Sequence, residues 1–542
     1  MDSSNAAYRC HLVTHLPPLL GAPGARERLR FLMERVLALV LLDLEPARPL
    51  LQVLYCERSG GRPPRDPVAM LRSLLLMVLC GATSVNRWAA RLKGEPELAV
   101  LSGFSPGERP PGVGTFYDFF HRLLDGPYQR RCDHHSPASA RVKGRGFVRH
   151  LRQEKEAQKA QTQAELAHGQ QGKVELLVDR ALATWDQGLP SDLEQRLQEI
   201  LMRCAVRPSA AAGLLGDLRR LQVASDGTAI ESHASGDGHA ACTCRAEGLP
   251  ACSCPRVYAD PEATWGYDSH RERYYFGYRL QVTSTRGMGD DLPLQVTLGG
   301  AHTPDVVLGV EALSRLVKRL GQEDLGAKIF AALYDAGYDA GPFYRLHQEL
   351  EIAPLIPLSQ QPRTPACMQG LPRDEQGRPL CPGGLPMRLH QRDLRKQELV
   401  YNCPVKRPGR EAGKLVMRTR QQECPREALC EPGSVMGPLV HIRLKDDPRM
   451  NLPIPRESPL FAELFKDRTA TERYNSTLKS KGRMARGAYR RQHFVLTVAV
   501  LHAIEAHAGA WVDRLPKKER PGTAEELLAW LGRPGEVAAQ AA

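Results

Sequence analysis

Long apolar runs are what this sequence has least of. Its strongest, RVLALVLLDL and LLLMVLCG, reach about half of the ~20 residues a helix needs to cross a bilayer. MDSSNAAYRCHLVTHLPPLL lacks a basic leader followed by an apolar stretch, so no targeting segment and no membrane partner are expected. Cysteine is too thinly spread for a disulfide scaffold, with 14 in 542 residues. Together these absences make a soluble intracellular protein the expectation. No helix-turn-helix spacing stands out either.

Positive charge is what the chain has in surplus. Lys and Arg number 74 against 61 Asp and Glu, a formal net charge of +13. That favours a polyanionic partner, nucleic acid first, although solubility alone also accommodates it. The length calls for two to four compact units.

Residues 1–128 read as an N-terminal helical, DNA-binding domain. Asp66-Pro67 is an N-cap followed by proline in the first turn, and VAMLRSLLLMVLCG carries that helix to a glycine stop. TSVNRWAARLKGEPELAVLSGF follows as a helical pair with Arg87, Arg91 and Lys93 among apolar positions. Residues 129–173 read as a basic linker or solvated helix, since Arg141 to Lys159 hold seven Lys/Arg and two Glu. Such a run is either a wet surface or a grip on a DNA backbone.

From residue 174 to 360 the texture turns α/β. RLQVASDGTAI, RYYFGYRLQVTST and LPLQVTLGG read as strands, VVLGVEALSRLVKRLG as a helix, and KIFAALYDAGYDAG and EIAPLIPLS as further strands. Three strands followed by helix-linked strands match a ribonuclease-H-like α/β core. Asp226 and Asp335 each stand at the carboxyl end of an apolar strand, where adjacent parallel strands would bring them together. Singly, each Asp-Gly pattern is also an ordinary turn.

A third carboxylate lies far downstream. ELFKDRTATERYNSTLKSK has no proline or glycine and reads as one helix, with Phe465, Arg468, Glu472 and Lys479 on a single stripe. Arg468 with Glu472 is also a plain ion pair. Beyond it stand Lys481, Arg483 and Arg486.

Phe465-(2)-Arg468-(3)-Glu472-(6)-Lys479 resembles the Tyr-(2)-Arg-(3)-Glu-(6)-Lys signature of bacterial insertion-sequence transposases with a DDE catalytic triad. Phe465 departs from it by one hydroxyl. SDGTAI and LYDAGYDA resemble the two aspartate motifs of that group, and the likeness covers roughly residues 60 to 130 and 220 to 505. The resemblance implies a catalytic set of Asp226, Asp335 and Glu472 that binds Mg²⁺, with Mn²⁺ as a substitute. Hard divalent cations choose carboxylate oxygens. It implies phosphate contacts by Arg468, Lys479, Lys481, Arg483 and Arg486. It further implies cleavage of element ends and joining of the 3′-hydroxyl to target DNA, by a homodimer assembled on double-stranded DNA in the bacterial cytoplasm, at the nucleoid.

The remaining regions are expected to be accessory. Residues 361–455 read as a Cys/Pro/Gly-rich insertion before the glutamate helix, residues 456–512 as that helix and the end of the catalytic core, and 513–542 as a C-terminal tail. Cys242, Cys244, Cys252 and Cys254 form a compact group that closes a tetrahedral zinc site or stays as free thiols. Cys381, Cys403, Cys424 and Cys430 offer a second, less regular group. His302 reads as a bystander to the site, and WGYDSHRERYYFGY as strand packing or a platform for unpaired bases.

Overall fold

A computed structural model describes residues 5–55, 64–125, 169–240, 244, 247–248, 256–323, 325–359, 372–374, 376–393, 395–420, 424, 437–480, 484–486 and 489–532. The architecture is mixed α/β, with a helical N-terminal region against a six-stranded sheet.

The helices form where capping and apolar spacing agree. In the helical region, α1 spans Met33–Leu41, α2 Pro67–Leu79, α3 Val85–Gly94 and α4 Val113–Asp125. The α2 start is the one read from sequence: the Asp66 carboxylate accepts the Ala69 N–H at 2.9 Å, and proline takes the first position. Every residue from Val68 to Leu79 is buried. In α3 the buried positions Val85, Trp88, Ala89 and Leu92 follow the i, i+3, i+4, i+7 pattern, and Trp88 Nε1 donates to Ser73 Oγ at 3.1 Å. The basic segment at 129–168 lies outside the described residues.

After α5 (Leu193–Leu201) come β1 (Leu221–Glu231), β2 (Thr264–Asp268), β3 (Arg273–Thr285) and β4 (Leu292–Gly300). Helix α6 (Asp305–Gln322), β5 (Ile329–Leu333) and β6 (Ala353–Leu355) follow. The sheet order is β2-β3-β1-β5-β6, with β4 also on β3. Strands β1 and β3 are antiparallel, whereas β1, β5 and β6 run parallel. β2 pairs with Arg273 to Gly277 and β4 with Tyr278 to Thr285, so the two share one edge of β3. The stretch WGYDSHRERYYFGY is thus a hairpin of β2 and β3. Trp265 and Tyr267 are each 51% exposed on it.

Two sequence expectations change. Asp226 is in the middle of β1 rather than at its end, because DGTAIE continues the ladder with β3 as far as Glu231 opposite Gly277. The stretch before Glu472 is not one helix. Pro459–Phe465 tightens into a 3₁₀ turn, Lys466–Arg468, before α7 (Thr469–Ser480) begins. The Leu464 carbonyl is taken there by the Gln222 amide at 2.9 Å, and Asp467 is held by Arg286 at 2.7 Å.

The stretch between β6 and Pro459 forms its own small sheet from Arg388–Asp393, Glu398–Asn402 and Val440–Arg443. A small apolar cluster that includes Cys381, Met387, Leu399 and Ile442 supports it. Arg449 anchors it to the main body through Asp339, at 2.8 and 2.7 Å.

Helix α8 (Gln492–Arg514) binds the whole together. It contacts α1, α2, α4, α5 and β4. By length and composition it could cross a membrane, but it is mostly buried within the protein. His507 bridges two regions: its Nε2–H donates to Pro293 O at 2.9 Å, and Nδ1 accepts the Ser209 hydroxyl at 2.8 Å. Helical region and sheet therefore share one continuous apolar core.

The close approach of β1 and β3 gives a stability prediction. A Cβ on Gly277 would lie 2.1 Å from the Ile230 carbonyl oxygen, which is backbone and has little room to yield. Gly277→Ala should cost about 1–3 kcal/mol, read as a lower melting temperature.

Candidate active site

The register of β1 and β5 decides the site. Their last paired residues are Ala224 and Leu333. Asp226 is two residues beyond the first and Asp335 two beyond the second, so parallel strands carry both carboxylates to the same edge. Asp335 then caps the turn Ala336–Tyr338, accepting the Gly337 N–H at 2.9 Å, and Asp226 accepts the Gly227 N–H at 2.9 Å.

A further carboxylate, Asp305, joins them from the first turn of α6. Arg279 of β3 holds it with two hydrogen bonds of 2.5 Å. The pair lies directly over β1: a Cβ on Gly227 would meet Asp305 Oδ1 at 2.0 Å and Arg279 Nε at 2.9 Å. Glycine is therefore required after Asp226 for a packing reason, beyond any turn. Sequence reasoning missed Asp305, although an acid in the first turn after Thr303-Pro304 was the available signal.

The electrostatics follow from this crowding. Burial, then the charges of Asp305 and Asp335, push the Asp226 carboxyl from an ordinary 3.8 up to about 6. Asp335 is also raised, by burial first and then Asp305, while the Gly337 N–H, Arg468 and Arg279 pull the other way. Burial lowers the Lys479 ammonium, helped by Arg271 and Arg279, while Asp268 and Asp226 oppose the shift. Lys479 is thus within electrostatic reach of Asp226. Asp339, the second aspartate of YDAGYD, has a different task. Burial would raise it, but Arg449, the Ser359 N–H and Tyr344 hold it below the usual carboxylate range, a structural ion pair.

Glu472 comes to the same region on α7. That helix is pinned across β1 by the Thr471 hydroxyl, which donates to Ala224 O at 2.8 Å. The Glu472 side chain is 44% exposed and engaged by Arg468 Nη1 at 2.7 Å. Among the described residues, no three His, Cys, Asp or Glu side chains are grouped to hold a metal ion. The structure brings Asp226 and Asp335 together, while Glu472 is turned to its arginine.

The other candidate residues divide by place. Lys481 and Arg483 lie outside the described residues, and Arg486 ends the turn Met484–Arg486. Cys242, Cys252, Cys254 and Cys430 are also outside them. Cys381, Cys403 and Cys424 are free thiols, Cys381 and Cys403 buried, and Cys244 is partly buried. His302 Nδ1 is 3.0 Å from Thr264 Oγ1, at the base of the hairpin.

The donor chemistry suits a hard divalent cation. Two carboxylates at one sheet edge, one driven to about 6 by burial and then by its neighbours, form a pair whose charge a cation would relieve. Asp226 and Asp335 would hold it.

Residues 29–122 match the family described as Transposase domain (DUF772). The match covers α1 to α3 and most of α4. No curated protein matches the chain. Over this helical region the chain is therefore similar to transposases, and the similarity points to a role in transposition.

Proposed function

We propose that this chain is a DDE transposase with a ribonuclease-H-like catalytic core. It cleaves the ends of a mobile element and joins the freed 3′-hydroxyl to target DNA. The observation that carries the reading is the convergence of Asp226 and Asp335 from parallel strands beside a helix that bears Glu472 and Lys479, with Arg468 in the turn just before it. The sheet supports it: an antiparallel β4-β3-β1 meander continues into parallel β5 and β6. The transposase-domain match of the helical region supports it independently.

In cleavage, a water oxygen attacks phosphorus, the P–O3′ bond breaks and the 3′-hydroxyl departs with a proton. In joining, that hydroxyl attacks a target phosphorus and displaces a target 3′-oxygen, so one ester replaces another. Two Mg²⁺ ions, or Mn²⁺, supply charge neutralisation of attacking and leaving oxygens when bound. Asp226, Asp335 and Glu472 are the carboxylates that hold them. Arg468 and Lys479 contact phosphates beside the scissile bond, and Lys481, Arg483 and Arg486 extend the grip. The working form is a homodimer on double-stranded DNA, in the cytoplasm at the nucleoid. The cysteine groups remain candidates for structural zinc, testable by metal analysis of the purified protein.

Asp226→Asn, Asp335→Asn and Glu472→Gln should each lower Mg²⁺-dependent cleavage of element-end DNA by about 10³-fold or more, with DNA binding retained. Cleavage that survives in any one variant removes that residue from the set. A wild-type protein that binds these ends but never cleaves them would instead mark a DNA-binding relative.

Lys481, Arg483 and Arg486 replaced together by alanine should weaken binding to all DNA sequences alike. The slope of log affinity against log salt should fall by about one unit per lost contact. An unchanged slope would assign these cations to a solvated face.

The raised Asp226 carboxyl gives a pH test. The folded protein holds this proton more tightly than the unfolded chain, so the group's penalty is absent below about pH 4. It grows as pH rises to about 6 and is then constant. Without divalent metal, Asp226→Asn should melt higher than wild type at pH 7.5, by up to about 3 kcal/mol. The difference should vanish near pH 4, and equal melting at both pH values would contradict the crowding.

A further inference from the structure

Glu472 has two candidate partners in its own neighbourhood, and one is engaged. Arg468 holds it at 2.7 Å, from a position one turn earlier. The same guanidinium lies 5.7 Å over the Phe465 ring, and its charge acts on Asp335. Arg468 is thus a cation paired with the third carboxylate and within electrostatic reach of the second.

Asn475 is three residues after Glu472, a spacing at which helix side chains meet. It is 6% exposed, and among the described residues neither its amide oxygen nor its amide nitrogen has a hydrogen-bond partner. A buried amide with both ends empty is costly to keep. Its place beside Glu472 suggests a partner that arrives later.

We infer that Glu472 exchanges partners: Arg468 holds it away from the site in the free protein, and Asn475 receives it when it turns toward Asp226 and Asp335. This rests on the metal-dependent reading above and deepens it, since cation binding becomes conditional on release of Arg468. A DNA phosphate is the natural competitor for that guanidinium, which recognises oxyanions with paired N–H donors. DNA therefore frees the third carboxylate. By linkage, DNA and cation tighten each other by the same factor. Phe465 keeps the arginine stacked nearby, which an aromatic ring without a hydroxyl does as well as tyrosine.

The test is Mn²⁺ affinity of the full chain, read by electron paramagnetic resonance of free Mn²⁺ and independent of cleavage. Without DNA, Arg468→Ala should bind Mn²⁺ about two- to fivefold more tightly than wild type, the range of one lost exposed ion pair. Asn475→Leu should bind it at least about threefold more weakly, yet melt no lower than wild type, because an apolar side chain of similar size removes the orphaned amide. A purely structural asparagine would show the reverse. If Asn475→Leu fails to fold, Asn475→Ala takes its place with the same expected loss of affinity. A short duplex of arbitrary sequence, added in the binding assay, should tighten Mn²⁺ in wild type and not in Arg468→Ala.

Unchanged affinity in Arg468→Ala, or in the Asn475 variant, overturns the exchange. Glu472→Gln separates this failure from that of the underlying reading. If it lowers Mn²⁺ affinity while the other two variants do not move it, the exchange alone falls. If it has no effect, Glu472 is not a metal ligand and both fall.

Discussion

Like-charge repulsion at one sheet edge is the constraint around which the site is built. The β1–β5 register ends at Ala224 and Leu333, and two further residues on each strand bring Asp226 beside Asp335. Asp226 cannot move away without breaking the ladder, since β1 continues its pairing with β3 to Glu231, and Asp335 is held by its cap on the turn Ala336–Tyr338. The charge has to be answered by what surrounds it. Part of the answer is the proton itself, held on Asp226 up to about pH 6.

Fixed cations supply the rest. Arg279 comes from the strand paired to β1 and is itself bound by Asp305, so it moderates the cluster without neutralising it. Arg468 acts on Asp335 through its charge and spends its contact on Glu472. Burial, helped by two arginines, lowers the Lys479 ammonium from its ordinary value. Each of these groups already has a partner or a penalty. On the metal-dependent reading proposed above, a divalent ion would supply the positive charge that these groups leave wanting.

Much of this was legible in the sequence because it is written locally. Asp66-Pro67 announced a helix start, SDGTAI and LYDAGYDA announced acids on apolar strands, and the spacing from Phe465 to Lys479 placed cations around Glu472. What stayed hidden depends on contacts between distant segments. Whether β1 stops at Asp226 or runs past it is decided by β3, some fifty residues later. The break between Phe465 and Thr469 is set by Gln222 and Arg286, which no helical pattern in that stretch can report. Asp305 drew no notice in the sequence, and it is the bare backbone of Gly227 that leaves room for it against β1. The second aspartate of YDAGYD shows the same limit, since its commitment to Arg449 rests on a residue 110 positions away.

The scaffold also determines where motion can occur. Helix α8 packs on the helical region and on β4, and His507 and Trp511 tie it to Ser209, in the short helix Arg207–Ala211 before the sheet. Phe494 stacks on Phe120 of α4 at 4.0 Å, carrying the same core into the segment that matches a transposase domain. With one continuous core, the helical region and the sheet do not swing apart at low cost. On the transposase reading, DNA gripped by the helices meets a sheet of fixed geometry. Assembly of the site is then left to the few side chains with room to turn. Glu472 is the clearest of them: its helix is pinned through Thr471, its carboxylate is nearly half exposed, and its present partner is a residue that DNA would claim.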